Sequence, residues 1–155
     1  MQATGFLPSR DGFSFRNDFD YPASRLGRGA PLASGYGLAG GMCVAALDRW
    51  HAGRPLPVLP GAPAPGEILY EELVRRQIEL LGHGAWDRVL EWQSRPGLGR
   101  LFRTRGVGEL TRWEWGRVRR SLDRGMPAPL CVLRTRGPFA NPSENPIVLA
   151  YRYEY

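Results

Sequence analysis

The chain contains no lysine. Its net charge of +6 rests on 21 basic residues, all arginine, against 15 acidic ones. Arginine favours planar, stacked or bidentate contacts over diffuse attraction. Cysteine and histidine are scarce, two of each in 155 residues. Two cysteines do not make a disulfide framework, and Cys43 and Cys131, both in apolar surroundings, read as buried reduced thiols. His51 and His83 have no Cys, Asp or His at ligand spacing, which argues against zinc. No apolar run approaches the ~20 residues that span a bilayer. Met1 to Arg10 lacks the charged start and apolar stretch of a secretory signal. The expected location is therefore cytoplasmic, with no cofactor and no membrane contact.

What is abundant is glycine and proline, 20 and 14 residues, above their usual combined share of roughly 12%. Long irregular connections follow. The 43% apolar and 23% charged contents are ordinary for a globular chain. At this length one domain is expected, burying about 68–70% of its unfolded surface.

Residues 1–38 show little periodicity. Phe6, Phe13, Phe15 and Phe19 suggest an extended arm pinned by aromatic anchors. A Gly-rich turn, Gly35 to Gly41, then feeds an apolar helix over 40–52. Apolar on every side, that helix reads as central and buried. Gly53 ends it and Pro55 follows. Residues 54–66 are a Pro-rich connector. An amphipathic helix is expected over Glu67 to Leu81 and a short one over Ala85 to Gln93. The capping-box pattern Thr111-Arg112-Trp113-Glu114 predicts a further helix from Thr111 to about Arg124. Its core face would hold Trp115, Val118 and Leu122, and its opposite face Trp113, Arg117, Arg120 and Arg124. Two strand-like runs follow, Leu130 to Thr135 and Ile147 to Tyr155. The second alternates, placing Ile147, Leu149, Tyr151, Tyr153 and Tyr155 on one face. Helices first (39–124) and strands last (128–155) is an α+β order.

Six separated segments carry a further signal: Phe15-Arg16-Asn17-Asp18-Phe19, Gly37-Leu38-Ala39-Gly40-Gly41-Met42, Ala45-Ala46-Leu47-Asp48, Thr111 with Glu114-Trp115, Asp123 to Leu130, and Asn145 to Tyr153. In this order they resemble a bacterial family of papain-like cysteine peptidases, whose pattern runs F-x-N-x-F, G-L-C-G-G-M, A-A-L-D, T-x-x-E-W, D-x-G-x-P-x-P-L and N-H-Q-V-L-A-Y-G-Y. The resemblance implies a papain-like fold: a helical N-terminal half, with its buried central helix packed on a small, truncated antiparallel sheet.

The departures bear on function. The resemblance implies a cysteine nucleophile at a helix N-terminus that lowers its pKa; Ala39 stands there. It implies a histidine base where Pro146 stands, and a glutamine where Ile147 stands. The orienting Asp or Asn would lie on a strand beyond Tyr155. A candidate cleft then comprises Ala39, Met42, Cys43, Pro146 and Val148. Cys43, one turn after Ala39, is on the same helix face; a small core residue is the plainer reading than a relocated nucleophile. Trp113, Arg117, Arg120 and Arg124, with Arg100, Arg103 and Arg105 upstream, form the densest basic surface. A solvated helix face is the plainer reading of it, an anchor for a partner the sharper one. The chain stops within the sheet, so the Tyr151, Tyr153 and Tyr155 face is expected to need a cover, from a protein partner or a second copy.

Three functions are therefore in play. One is a catalytically silent papain-like domain that binds a protein or peptide. The second is a repurposed, non-hydrolytic enzyme holding a small molecule in the former cleft. The third is an arginine-driven nucleic-acid binder.

Overall fold

The structure, a computed structural model, describes residues 1–21, 37–82, 84–96, 105–137 and 140–154, the side chain of Trp86 apart. It is α+β: five helices and two small antiparallel two-stranded sheets among these residues. The elements are β1 (Gln2–Ala3), α1 (Pro8–Asp11), α2 (Ala39–His51), α3 (Ile68–Gly82), α4 (Ala85–Ser94), α5 (Val107–Asp123), β2 (Ala128–Cys131), β3 (Ile147–Ala150) and β4 (Arg152–Tyr153). A 3₁₀ turn, Pro142–Glu144, precedes β3.

Helices α2 and α3 form the centre. Gly41 permits their close approach: a Cβ there would lie 2.0 Å from the Leu73 carbonyl oxygen. The core cluster gathers Tyr21, Leu38, Ala45, Tyr70, Leu73 and Val74, with Met42 and Leu69 packed on it. Only Gly40, Gly41, Ala45 and Ala46 of α2 are buried. The rest are half-buried apart from the exposed His51, so α2 is less enclosed than its apolar sequence implies. Its small residues give neighbours access to the helix backbone instead of filling space.

The N-terminal segment is not simply extended. It supplies β1 and one helical turn, α1. The expected aromatic anchoring is present. Phe6, 4% exposed, packs edge-on to Trp50 at 6.1 Å. Phe13, Phe15 and Phe19 form a chain of ring contacts that ends on Tyr70 at 5.9 Å.

Helices α2 and α5 stop as glycine placement predicts. Gly53 and Gly125 have φ of 63° and 77°, a region that disfavours side chains. Each sits in a paired-bond ending: Gly53 N–H to Trp50 O and Arg54 N–H to Arg49 O; Gly125 N–H to Leu122 O and Met126 N–H to Ser121 O. The start of α5 differs from expectation. It begins at Val107, after an extended Gly106, with no side-chain cap. The carbonyl of Gly106 accepts from Glu109 and Leu110. Thr111 lies inside the helix and donates its hydroxyl to Val107 O at 2.8 Å, so the capping-box pattern marks no boundary.

The strands also differ. β2 ends at Cys131, not Thr135, because the Arg134 and Thr135 N–H groups donate to Asn145 Oδ1 at 2.8 and 3.1 Å. β2 and β3 pair antiparallel, with Ala128 opposite Ala150 and Cys131 opposite Ile147. The expected single strand from Ile147 divides at Tyr151, whose carbonyl accepts from the Thr4 N–H and the Thr4 hydroxyl. Beyond that point β4 pairs with β1, Gln2 opposite Tyr153. The segment expected to present an uncovered edge thus receives a strand from its own chain. Its tyrosines are half-buried against the same chain: Tyr151 beside Phe6, Tyr153 edge-on to Trp115 at 5.6 Å and donating to Asp123 Oδ1 at 2.6 Å. Tyr155 lies outside the described residues.

Candidate functional site

The first turn of α2 faces the start of β3. The contact is close: a Cβ on Gly40 would lie 2.8 Å from Ile147 Cδ1 and 2.7 Å from Gln77 Oε1. Between them is a cavity of about 80 Å³, bordered by Ala39, Gly40 and Ile147 together with Asn17, Gln77 and Asn145. Ala39 and Ile147, 108 positions apart in the chain, thus meet at one site.

The other cleft candidates do not line it. Met42 packs into the α2–α3 core. Cys43 is half-buried, its Sγ 3.9 Å from Ile147 O. Burial pushes its thiol up to about 11, so at neutral pH it is protonated and a poor nucleophile. The Pro146 carbonyl accepts from the Val132 N–H at 2.9 Å, a sheet role. Val148 is 40% exposed on the outer side of β3. Cys131, expected to be buried, is exposed and borders the cavity; desolvation raises its thiol pKa as well.

Three carboxamides around the cavity went unassigned in the sequence, and all three hold its walls. Asn17 Oδ1 accepts from the Leu38 N–H at 2.7 Å, just before α2. Gln77 Oε1 accepts from the Gly41 N–H at 2.8 Å, satisfying one of the helix's orphan donors. Asn145 Oδ1 accepts from Arg134 and Thr135. Gln77 left a periodic signal. It falls on the core stripe of α3 at i+7, i+4 and i+3 from Tyr70, Leu73 and Val74, where a polar residue calls for a partner. Asn17 and Asn145 stand in the F-x-N-x-F and N-H-Q segments of the resemblance, which do not name their partners, Leu38 for the one and Arg134 and Thr135 for the other.

A larger cavity, about 360 Å³, lies at the other end of α2 among Arg10, Arg49, Trp50 and Arg54. Arg10 pairs with Asp11 and Arg49 with Glu72, so its charge is largely matched. His51 is exposed at this end, its ring 4.8 Å from Trp50, remote from the α2 N-terminus. His83 lies outside the described residues, as do Arg100 and Arg103. Among the described residues no group of three His, Cys, Asp or Glu is placed to hold a metal, and no helix is long and apolar enough to cross a membrane.

The basic face of α5 is as exposed as its sequence pattern predicts. Trp113 is 55% exposed, with the Arg117 guanidinium 5.2 Å from its ring centre. Arg120 and Arg124 are exposed beside it. Carboxylates of the same helix reduce the field: Glu114 lies 3.9 Å from Arg117, and Asp123 3.6 Å from Arg119.

No family model, curated protein or solved structure matches this chain.

Proposed function

We propose that this chain is a papain-like domain without peptidase chemistry, binding a peptide or a protein segment at the cavity between α2 and β3. One observation carries the reading: the α2 N-terminus, with Ala39 at its tip, and the start of β3 at Ile147 border one cavity. The described residues bordering the cavity include no carboxylate and no imidazole, so none supplies a general base. Both cysteines have thiols raised by burial. A partner or second copy on the C-terminal strand belongs to the same proposal; light scattering at micromolar concentration tests it, and a monomer removes it.

The test uses the full chain, immobilised and exposed to a mixed peptide library. Peptides are expected to be retained by the wild type and not by Ala39→Phe, which fills the cavity. Fluorogenic peptides should not be turned over. Equal retention by both proteins overturns the reading. So does turnover that Cys131→Ser abolishes, which would favour the repurposed-enzyme alternative.

A further inference from the structure

The cavity has a one-sided polar character. Each of its three carboxamides has its oxygen committed to a backbone N–H: Asn17 to Leu38, Gln77 to Gly41, Asn145 to Arg134 and Thr135. An N–H bonds only to the oxygen end of an amide, so these bonds fix all three orientations and leave three NH₂ groups as donors. Gln77 is 5% exposed, and its Nε2 has no acceptor among the described residues. An orphaned buried donor is costly, and such groups call for an explanation. Two more donors lie alongside. The backbone N–H groups of Ala39 and Gly40, in the first turn of α2, have no acceptor among the described residues. They sit at the positive end of a 13-residue helix. Among the described residues no charged side chain borders the cavity.

We infer that this cavity is a receptor for a single carboxylate group, held by the Gln77 and Asn17 amides and the α2 N-terminus. The chemistry is specific in three ways. The site offers amide and backbone donors, which favour an acceptor-rich head group. A helix N-terminus favours an anion over a neutral carbonyl. At about 80 Å³ the site admits a few heavy atoms, far below the roughly 300 Å³ of sites for drug-sized ligands. An alanine at position 39 leaves the donors uncovered, where a longer side chain would reach over them. The carboxylate could come from the end of a peptide or from a small free acid. The peptide source rests on the function proposed above; the carboxylate site does not.

The test follows the side-chain NH₂ signals of Asn17 and Gln77 and the backbone N–H signals of Ala39 and Gly40 by NMR on the full chain. The protein is titrated with sodium acetate against sodium chloride at equal ionic strength. Saturable shifts of these signals with acetate alone are expected. Asn17→Asp keeps an oxygen for the Leu38 N–H but replaces the donor with a negative charge, and should weaken acetate at least tenfold. Gln77→Glu keeps the Gly41 bond and should do the same, so the test survives if either variant fails to fold. Absence of an acetate-specific shift overturns the inference, as does unchanged affinity in the folded variants. Short acetylated peptides with a free or an amidated C-terminus separate the sources. Tighter binding of the free-acid peptide than of acetate supports the peptide end. Equal binding of acetate and free-acid peptide supports a small acid, keeping the site while counting against the peptide reading.

Discussion

Helices α2 and α5 are built alike at their ends and differently along their length. Both start without a side-chain cap and both finish on a left-handed glycine with the same two-bond ending. Between those ends α2 spends small residues on close backbone approach, whereas α5 carries tryptophans and arginines and docks through Val118 and Leu122. Each helix contains glycine, Gly41 in the first turn of α2 and Gly116 midway along α5. On α2, a Cβ at Gly41 meets the α3 backbone at 2.0 Å; on α5, a Cβ at Gly116 meets only the Arg120 side chain, at 3.7 Å. The difference teaches that the glycines near the cavity are set by distance to a neighbouring backbone, and the α5 glycine is not.

Substitutions can break this comparison. The largest effect is expected from Gly41→Ala, which must push two helix backbones apart. A loss of about 3 kcal/mol or more is expected, or no cooperative transition at all in urea. A loss below about 1 kcal/mol would show that the α2–α3 approach is soft. Leu122→Ala asks whether α5 is anchored despite its polar sequence. This leucine is 0% exposed, and truncation should cost about 3 kcal/mol; a near-neutral result would detach α5 from the fold.

Ion pairing gives a middle-sized test. The Arg49 guanidinium donates to both Glu72 oxygens, at 2.6 and 2.8 Å, linking α2 to α3. That hydrogen bonding holds the Glu72 carboxyl below its usual range, against desolvation that pushes it up. A depressed carboxyl contributes stability that is fully present above its unfolded value, about 4.3, and is lost as pH falls through the lower folded value. Glu72→Gln should cost about 1 kcal/mol at pH 7. Its stability should converge with that of the wild type in strong acid; a difference that persists there would refute the pairing as the cause.

The smallest effects belong to α5's surface. Gly116→Ala should raise stability by about 0.5–1 kcal/mol, from helix propensity alone. Its sign is opposite to that of Gly41→Ala, so thermal unfolding of the two variants side by side is the most direct check of the contrast. Trp113→Ala, which removes an exposed ring and its arginine contact, should stay within about 0.5 kcal/mol.

Much of the helical half was legible in the sequence. The ends at Gly53 and Gly125 follow from local backbone chemistry, and the Tyr70, Leu73 and Val74 stripe from periodicity. The strands were less legible. A side chain, Asn145, takes the N–H groups that would have prolonged β2, and Thr4 takes the Tyr151 carbonyl, dividing one alternating run between two sheets. Position 39 was legible as a place where a functional group is absent. The donors around it were not: Asn17 and Gln77 lie 21 and 36 residues from the backbone N–H groups they serve, and a motif Asn does not say which bonds its amide makes.

By itself the sequence determined where the helices end, which apolar stripe faces the core and that residue 39 bears no nucleophile. Those properties depend on neighbours within a few positions. Tertiary structure alone decided which thiol is half-buried, which strand covers the C-terminal run and which ends of three amides face the cavity. The orientation of an amide depends on which distant N–H reaches it first, and only the folded chain brings Leu38 to Asn17, Gly41 to Gln77 and Asn145 to the first turn of α2.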